Sequence, residues 1–140
     1  MEETKEVDAE ISEPYQPSFK IFDTTLEVTV RTKLFRFNIP TVRQTAKIGQ
    51  RAKSLRIKDG SDDGAEVGLS FYEMSLYRAM ANIEELLIFS EDPHFFSSDA
   101  MGKPVVDSEK WPLILSEDYI LEVYDGLLAA INSFRERGSK

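Results

Sequence analysis

The sequence predicts an α+β fold, a small antiparallel sheet of two to three strands followed by about three α-helices. Three observations carry that expectation. Residues 19–39 alternate apolar and polar side chains and are rich in β-branched and aromatic types. Two capping boxes, Thr41-Val42-Arg43-Gln44 and Ser70-Phe71-Tyr72-Glu73, each stand before apolar residues at helical spacing. Ser116 with Glu117-Asp118 opens a third such run, where a hydroxyl and two acids suit the exposed N–H groups of a helix start.

Phe19 and Ile21 form the first strand, and Leu26, Val28 and Val30 the second, with Asp23-Thr24-Thr25 as a turn or bulge between them. Leu34 to Ile39 alternates again and places Phe35, Phe37 and Ile39 on one face; Pro40, lacking an N–H, ends the ladder. Two or three strands alone are marginal in water, so helices must cover one face. The first helix runs from Thr41 to about Ile57, with Val42, Ala46, Ile48/Gly49, Ala52 and Leu55 as its apolar stripe. Residues 59–68 read as an acidic, glycine-rich loop. The second helix runs from Ser70 to about Phe89 on Tyr72, Leu76, Ala79/Met80, Ile83 and Leu87. Residues 90–115 read as an irregular connector with a short turn or strand at Val105-Val106, pinned by Trp111 and Phe95-Phe96. Ile120, Val123, Leu127, Ala130/Ile131 and Phe134 stripe the last helix, and Gly138 ends it.

At 140 residues, this is one domain's worth of chain. Residues 1–18 carry six acids and one base, no apolar periodicity, and Pro14 and Pro17; they read as a flexible acidic tail before a single domain, 19–140. The tail is unlike a secretory signal, and no apolar run approaches the ~20 residues of a membrane span, so the expected compartment is a cytoplasm. With no cysteine and one histidine, thiol nucleophiles, disulfides, zinc–thiolate centres and multi-histidine metal sites are excluded. The net charge of −8 argues against the whole chain as a nucleic-acid binder.

Candidate chemistry is sparse. Asp59-Gly60-Ser61-Asp62-Asp63-Gly64 matches the first half of a calcium-binding EF-hand loop, but Ser70 stands where the bidentate carboxylate belongs and Glu66 where an apolar residue does, so it reads as a solvated acidic turn. His94, beside Asp92, has no recognisable nucleophile near it and reads as a half-buried loop histidine. Glu84-Glu85 and Glu91-Asp92 are adjacent acids that do not face each other on a helix. No glycine set makes a phosphate loop, and the aromatic residues Phe71, Tyr72, Tyr77 and Phe89 read as core rather than as a groove, with a place off the core face left open for Tyr77. No catalytic residue, cofactor or metal site is expected, and the chain is not read as an enzyme.

The strongest signal is charge segregation. Residues 31–58 hold nine bases and no acid, inside an otherwise acidic chain. The plain reading is intramolecular, a basic helix packed near acidic ones or with a solvated face. The second is a partner-binding patch built from Arg36 at the strand end and Arg43, Lys47 and Arg51 on the first helix, facing an acidic partner or a neighbouring copy. A nucleic-acid patch comes last, because the flanking acids repel phosphate. The acidic tail 1–18 is also suited to cover the patch as a weak, salt-sensitive latch.

Several strings in order give the pattern a likeness. Leu34-Phe35-Arg36-Phe37-Asn38-Ile39-Pro40-Thr41 runs into a basic helix containing Ile48-Gly49-Gln50-Arg51-Ala52. Leu76-Tyr77-Arg78-Ala79-Met80-Ala81-Asn82-Ile83-Glu84-Glu85-Leu86-Leu87 follows, then Ile120-Leu121-Glu122-Val123-Tyr124 and Phe134-Arg135. Over residues 19–136 this order resembles the small tail assembly chaperones of long-tailed bacteriophages. The acidic tail and the Asp-rich loop have no counterpart in that pattern. The resemblance implies a non-enzymatic assembly factor that coats the helical tape-measure protein, keeps it soluble, helps recruit tail tube subunits and is absent from the mature virion. It implies the cytoplasm of an infected bacterial host and, in many members, a longer frameshifted form. It singles out none of the four basic residues, which come from the charge pattern alone. The competing reading is a small virion structural protein of the head–tail connector or tail terminator type, with a regulatory binding module as a third. Neither membrane nor nucleic acid is an expected partner; self-association is compatible with the charge blocks.

Overall fold

The computed structural model describes residues 18–60, 63–106 and 110–138. The expected acidic tail lies outside the described residues apart from Ser18, which already belongs to the first strand.

Strands β1 (Ser18–Ile21), β2 (Thr25–Val30) and β3 (Lys33–Asn38) form an antiparallel meander. Helices α1 (Val42–Lys58) and α2 (Phe71–Leu86) follow, and the chain then returns as β4 (Leu87–Ser90) beside β3. The sheet order is β1-β2-β3-β4. A 3₁₀ turn (Pro93–Phe95), a small hairpin of β5 (Phe96–Ser98) and β6 (Pro104–Val106), and a second 3₁₀ turn (Trp111–Leu113) lead to α3 (Glu117–Gly138). The fold is α+β, with a fourth strand beyond the two or three expected.

The alternation in β2 and β3 does what period two requires. Leu26, Val28, Val30, Phe35 and Phe37 are buried on one sheet face, while Glu27, Thr29 and Arg36 stand on the other. α3 lies across the apolar face over β1 and β2, burying Ile120, Val123, Leu127 and Ala130, and α2 packs beside it. Each fully buried large apolar side chain contributes roughly 1.5–3 kcal/mol, so this face dominates the stability.

The expected second helix runs too far. It stops at Leu86, and Leu87 turns directly into extended backbone (φ −69°, ψ 125°) without a loop. Leu87 and Phe89 pair with Phe37 and Arg36, and the Glu91 N–H donates to the Leu34 carbonyl. The open edge of β3 gives this segment's backbone groups hydrogen-bond partners, and Leu87-Ile88-Phe89 suits a strand. An apolar run continuing a helix hides that change, because periodicity alone cannot separate the two.

The connector after β4 is a strap over the core. Phe95 and Trp111 are buried, as expected, and the Phe95 ring meets Phe35 edge-on at 5.5 Å and lies 5.0 Å from Trp111 and 6.0 Å from Tyr119. Asp92 is the buried polar hub beneath it. Its carboxylate accepts from the His94 N–H (2.9 Å) and the Tyr119 hydroxyl (2.8 Å), and His94 Nδ1 lies 2.8 Å away. Burial alone would raise the Asp92 carboxyl, but these hydrogen bonds and the imidazole together hold it below the usual aspartate range.

The β2–β3 hairpin turns on Arg31 (φ 51°) and Thr32 (φ 67°), both in the left-handed region that a tight two-residue turn requires. Arg31 is held by two 2.7 Å hydrogen bonds to Glu122 and lies 5.1 Å from the Tyr119 ring centroid, tying the turn to α3. Thr32, β-branched and exposed, carries strain with no such compensation.

Thr32→Gly should therefore stabilise the protein by about 1 kcal/mol, seen as a higher urea midpoint at unchanged slope. Asp92→Asn should destabilise it at neutral pH. Because the folded carboxyl sits below its unfolded value of ~3.9, its contribution is complete above that value and is lost as pH falls through the folded value. The stability gap between wild type and Asp92→Asn should accordingly close below about pH 4 in denaturation curves measured across pH.

Candidate partner-binding surface

α1 contains six bases and no acid. Thr41 and Gln44 cap its start reciprocally, with Thr41 Oγ1 accepting from the Gln44 N–H (3.2 Å) and Gln44 Oε1 accepting from the Thr41 N–H (3.0 Å). The helix packs chiefly on α2, and only Ala52, Leu55 and Arg56 are buried. The sheet face is already covered by α2 and α3, so α1 forms an outer layer whose first half stands proud of the core. Val42 is 90% exposed and Ala46 is exposed, although both belong to the apolar stripe read from the sequence.

The structure divides the four basic candidates into two pairs. Arg36 stands on the open sheet face, donates to Glu27 at 2.7 Å, and holds its guanidinium 5.5 Å from the Phe89 ring centroid. Arg51 turns inward and donates to both Glu84 oxygens at 2.9 and 3.2 Å, joining α1 to α2. Arg56, not among the four, is buried against the Gly64 carbonyl and Glu66. Arg36, Arg51 and Arg56 thus each meet an acid or a carbonyl of the same chain. Arg43 and Lys47 are exposed one turn apart, and Lys53 is exposed further along. Among the described residues, no ion pair engages Arg43 or Lys47. The outward face of α1 thus combines Arg43, Lys47 and Lys53 with Val42, Ala46 and Ile57.

A second feature, not legible in the sequence, lies at the other end of α1. A groove of about 520 Å³ opens between Asp59, the first half of α2, Pro112 and the start of α3. Leu76, Met80, Pro112 and Ile120 supply its apolar lining; Asp59, Glu73 and Glu117 supply carboxylates, and among the described residues no base lines it. Tyr72 donates to Glu117, and Tyr77 donates to Asp59 at 2.7 Å. The hydrogen bond to Glu117 pushes the Tyr72 hydroxyl up to about 12; burial and then Asp59 do the same for Tyr77. The aromatic residues expected in the core lie elsewhere: Tyr72 (43% exposed) and Tyr77 line this groove, Phe71 precedes Tyr72 and is 79% exposed, and Phe89 (41% exposed) stands on the open sheet face against Arg36. Helical spacing marks a face but does not say what covers it.

The Asp-rich segment serves as a helix stop. The Asp59 N–H donates to the Leu55 carbonyl, and Gly64 (φ 74°) sits where a Cβ would meet the Lys53 side chain at 2.5 Å. Ser61 and Asp62 lie outside the described residues. His94 is exposed rather than half-buried, because the Asp92 contact holds it at the strap's outer surface. Among the described residues, no group of three or more His, Asp or Glu is placed to hold a metal ion, and no helix is long and apolar enough to cross a membrane. No protein-family model, curated protein or solved structure matches the chain.

The two pairs of cations should respond differently to truncation. Arg51→Ala should lose roughly 0.5–1 kcal/mol in urea denaturation, with part of the loss suppressed by salt. Arg43→Ala and Lys47→Ala should each stay within about 0.5 kcal/mol of wild type.

Proposed function

We propose that this chain is a non-enzymatic tail assembly chaperone that binds an elongated, acidic-faced partner, the tape-measure protein, through the outward side of α1. One observation supports this above the rest. α1 keeps Arg43, Lys47 and Lys53 exposed beside Val42, Ala46 and Ile57, while its other arginines are used inside the fold. A helix face that mixes cations with apolar side chains suits a charged, partly apolar helical partner, and it leaves the folded core untouched when it binds. Single contacts of this kind are weak, and many copies on one long partner would act by avidity. In this reading the protein keeps the tape-measure protein soluble in the cytoplasm of an infected bacterium, helps bring tail tube subunits to it, and is left out of the finished virion. The resemblance supplies the identity of the partners; α1 supplies the surface.

Arg43→Glu/Lys47→Glu should keep the wild-type fold by circular dichroism and lose co-purification with the tape-measure protein. Arg51→Glu should instead lose stability by opposing Glu84. Binding that survives the Arg43/Lys47 reversal would place the interface elsewhere and remove this surface from the reading.

A further inference from the structure

The two ends of α1 carry opposite and complementary surfaces. At its start, Val42 is 90% exposed, Arg43 follows it, and no acid lies in the first turn to offset the positive end of the helix dipole. At its other end, Asp59 is the C-cap and lines the groove that Glu73 and Glu117 make anionic and Leu76 and Met80 make apolar. An exposed aliphatic side chain flanked by positive charge is the chemistry this groove accepts. The groove is roomy enough for one or two side chains, not a whole domain.

A molecule cannot satisfy its own groove with its own helix start. α1 has 17 residues, and at 1.5 Å per residue about 25 Å of rigid helix separates Val42 from Asp59. We propose that the groove receives the first turn of α1 from a second copy of this chain, with Val42 against Leu76 and Met80 and Arg43 toward Glu117. The contact is head-to-tail, because the two surfaces lie at different places on each copy. It repeats from copy to copy, giving a closed ring or an open row. Lys47 and Lys53 stay on the later turns. The inference goes beyond the proposed function and does not rest on it, but the two share Val42 and Arg43, so a second copy and the partner would compete for the first turn of α1.

The test is sedimentation equilibrium of the full chain, without partner, over a wide range of concentration. Wild type should show a concentration-dependent series of multiples of 16.0 kDa that 0.5 M salt, roughly a 4 Å Debye length, shifts toward monomer. Val42→Asp places an acid where a helix start favours one, so it should fold at least as well as wild type and be monomeric. Glu117→Lys should be monomeric too, with Glu117→Gln in its place if circular dichroism shows a loss of fold. Mixing the two variants joins the intact groove of one to the intact helix start of the other, and should give a dimer that grows no further. Monomeric wild type throughout, association unchanged in Val42→Asp, or a mixture that stays monomeric would each overturn the proposal. Glu117→Lys leaves α1 intact, so it should be monomeric yet still co-purify with the tape-measure protein, which reads the two conclusions separately.

Discussion

The structure depends on one contact, the burial of the apolar sheet face beneath α3. Leu26, Val28, Phe35 and Phe37 on the sheet meet Ile120, Val123 and Leu127 on the helix, and all seven are completely or almost completely removed from water. The strap that carries Phe95 and Trp111 closes one end of this contact, and Asp92 ties the strap to α3 through the Tyr119 hydroxyl. Arg31 ties the β2–β3 turn to the same helix through Glu122. Once α2 and α3 occupy the apolar face, no sheet surface of that kind is left for α1, which can only lean on α2. Its half-packed state follows from that geometry.

Charge follows the same division. Where α1 touches α2, Arg51 meets Glu84; beside the following loop, Arg56 is buried against the Gly64 carbonyl and Glu66. Such a buried cation needs its partners, because removing one leaves an uncompensated charge. Where α1 leaves the core, Arg43, Lys47 and Lys53 face water. The basic block is therefore partly fold and partly surface, and the surface part is what makes a binding role physically reasonable. The acidic groove at the opposite end gives the molecule a polarity along α1.

Much of the fold is local and was legible. The alternation of Leu26–Val30 and Leu34–Phe37 placed β2 and β3 with the correct buried faces. Both capping boxes form as their spacing requires, because they need only residues three apart. What was not legible is non-local. β4 pairs with the free edge of β3, and the apolar run Leu87-Ile88-Phe89, though suited to a strand, also continues the helical spacing of α2. Phe71 and Tyr72 read as core because helical spacing records a face, not its cover. The division among Arg36, Arg43, Lys47 and Arg51 depends on where Glu27 and Glu84 arrive in space. The composition gives the charge of the block but not its direction.

We propose that this chain works as a multicopy binding protein on one long partner. The most direct measurement is co-expression with the tape-measure protein, then size-exclusion chromatography with light scattering, and a search for this chain in purified particles. The account predicts a soluble complex whose mass corresponds to many 16.0 kDa copies on one partner, with the chain absent from the particles. A tape-measure protein that stays insoluble, or a chain retained as a stoichiometric ring in the particle, would contradict it.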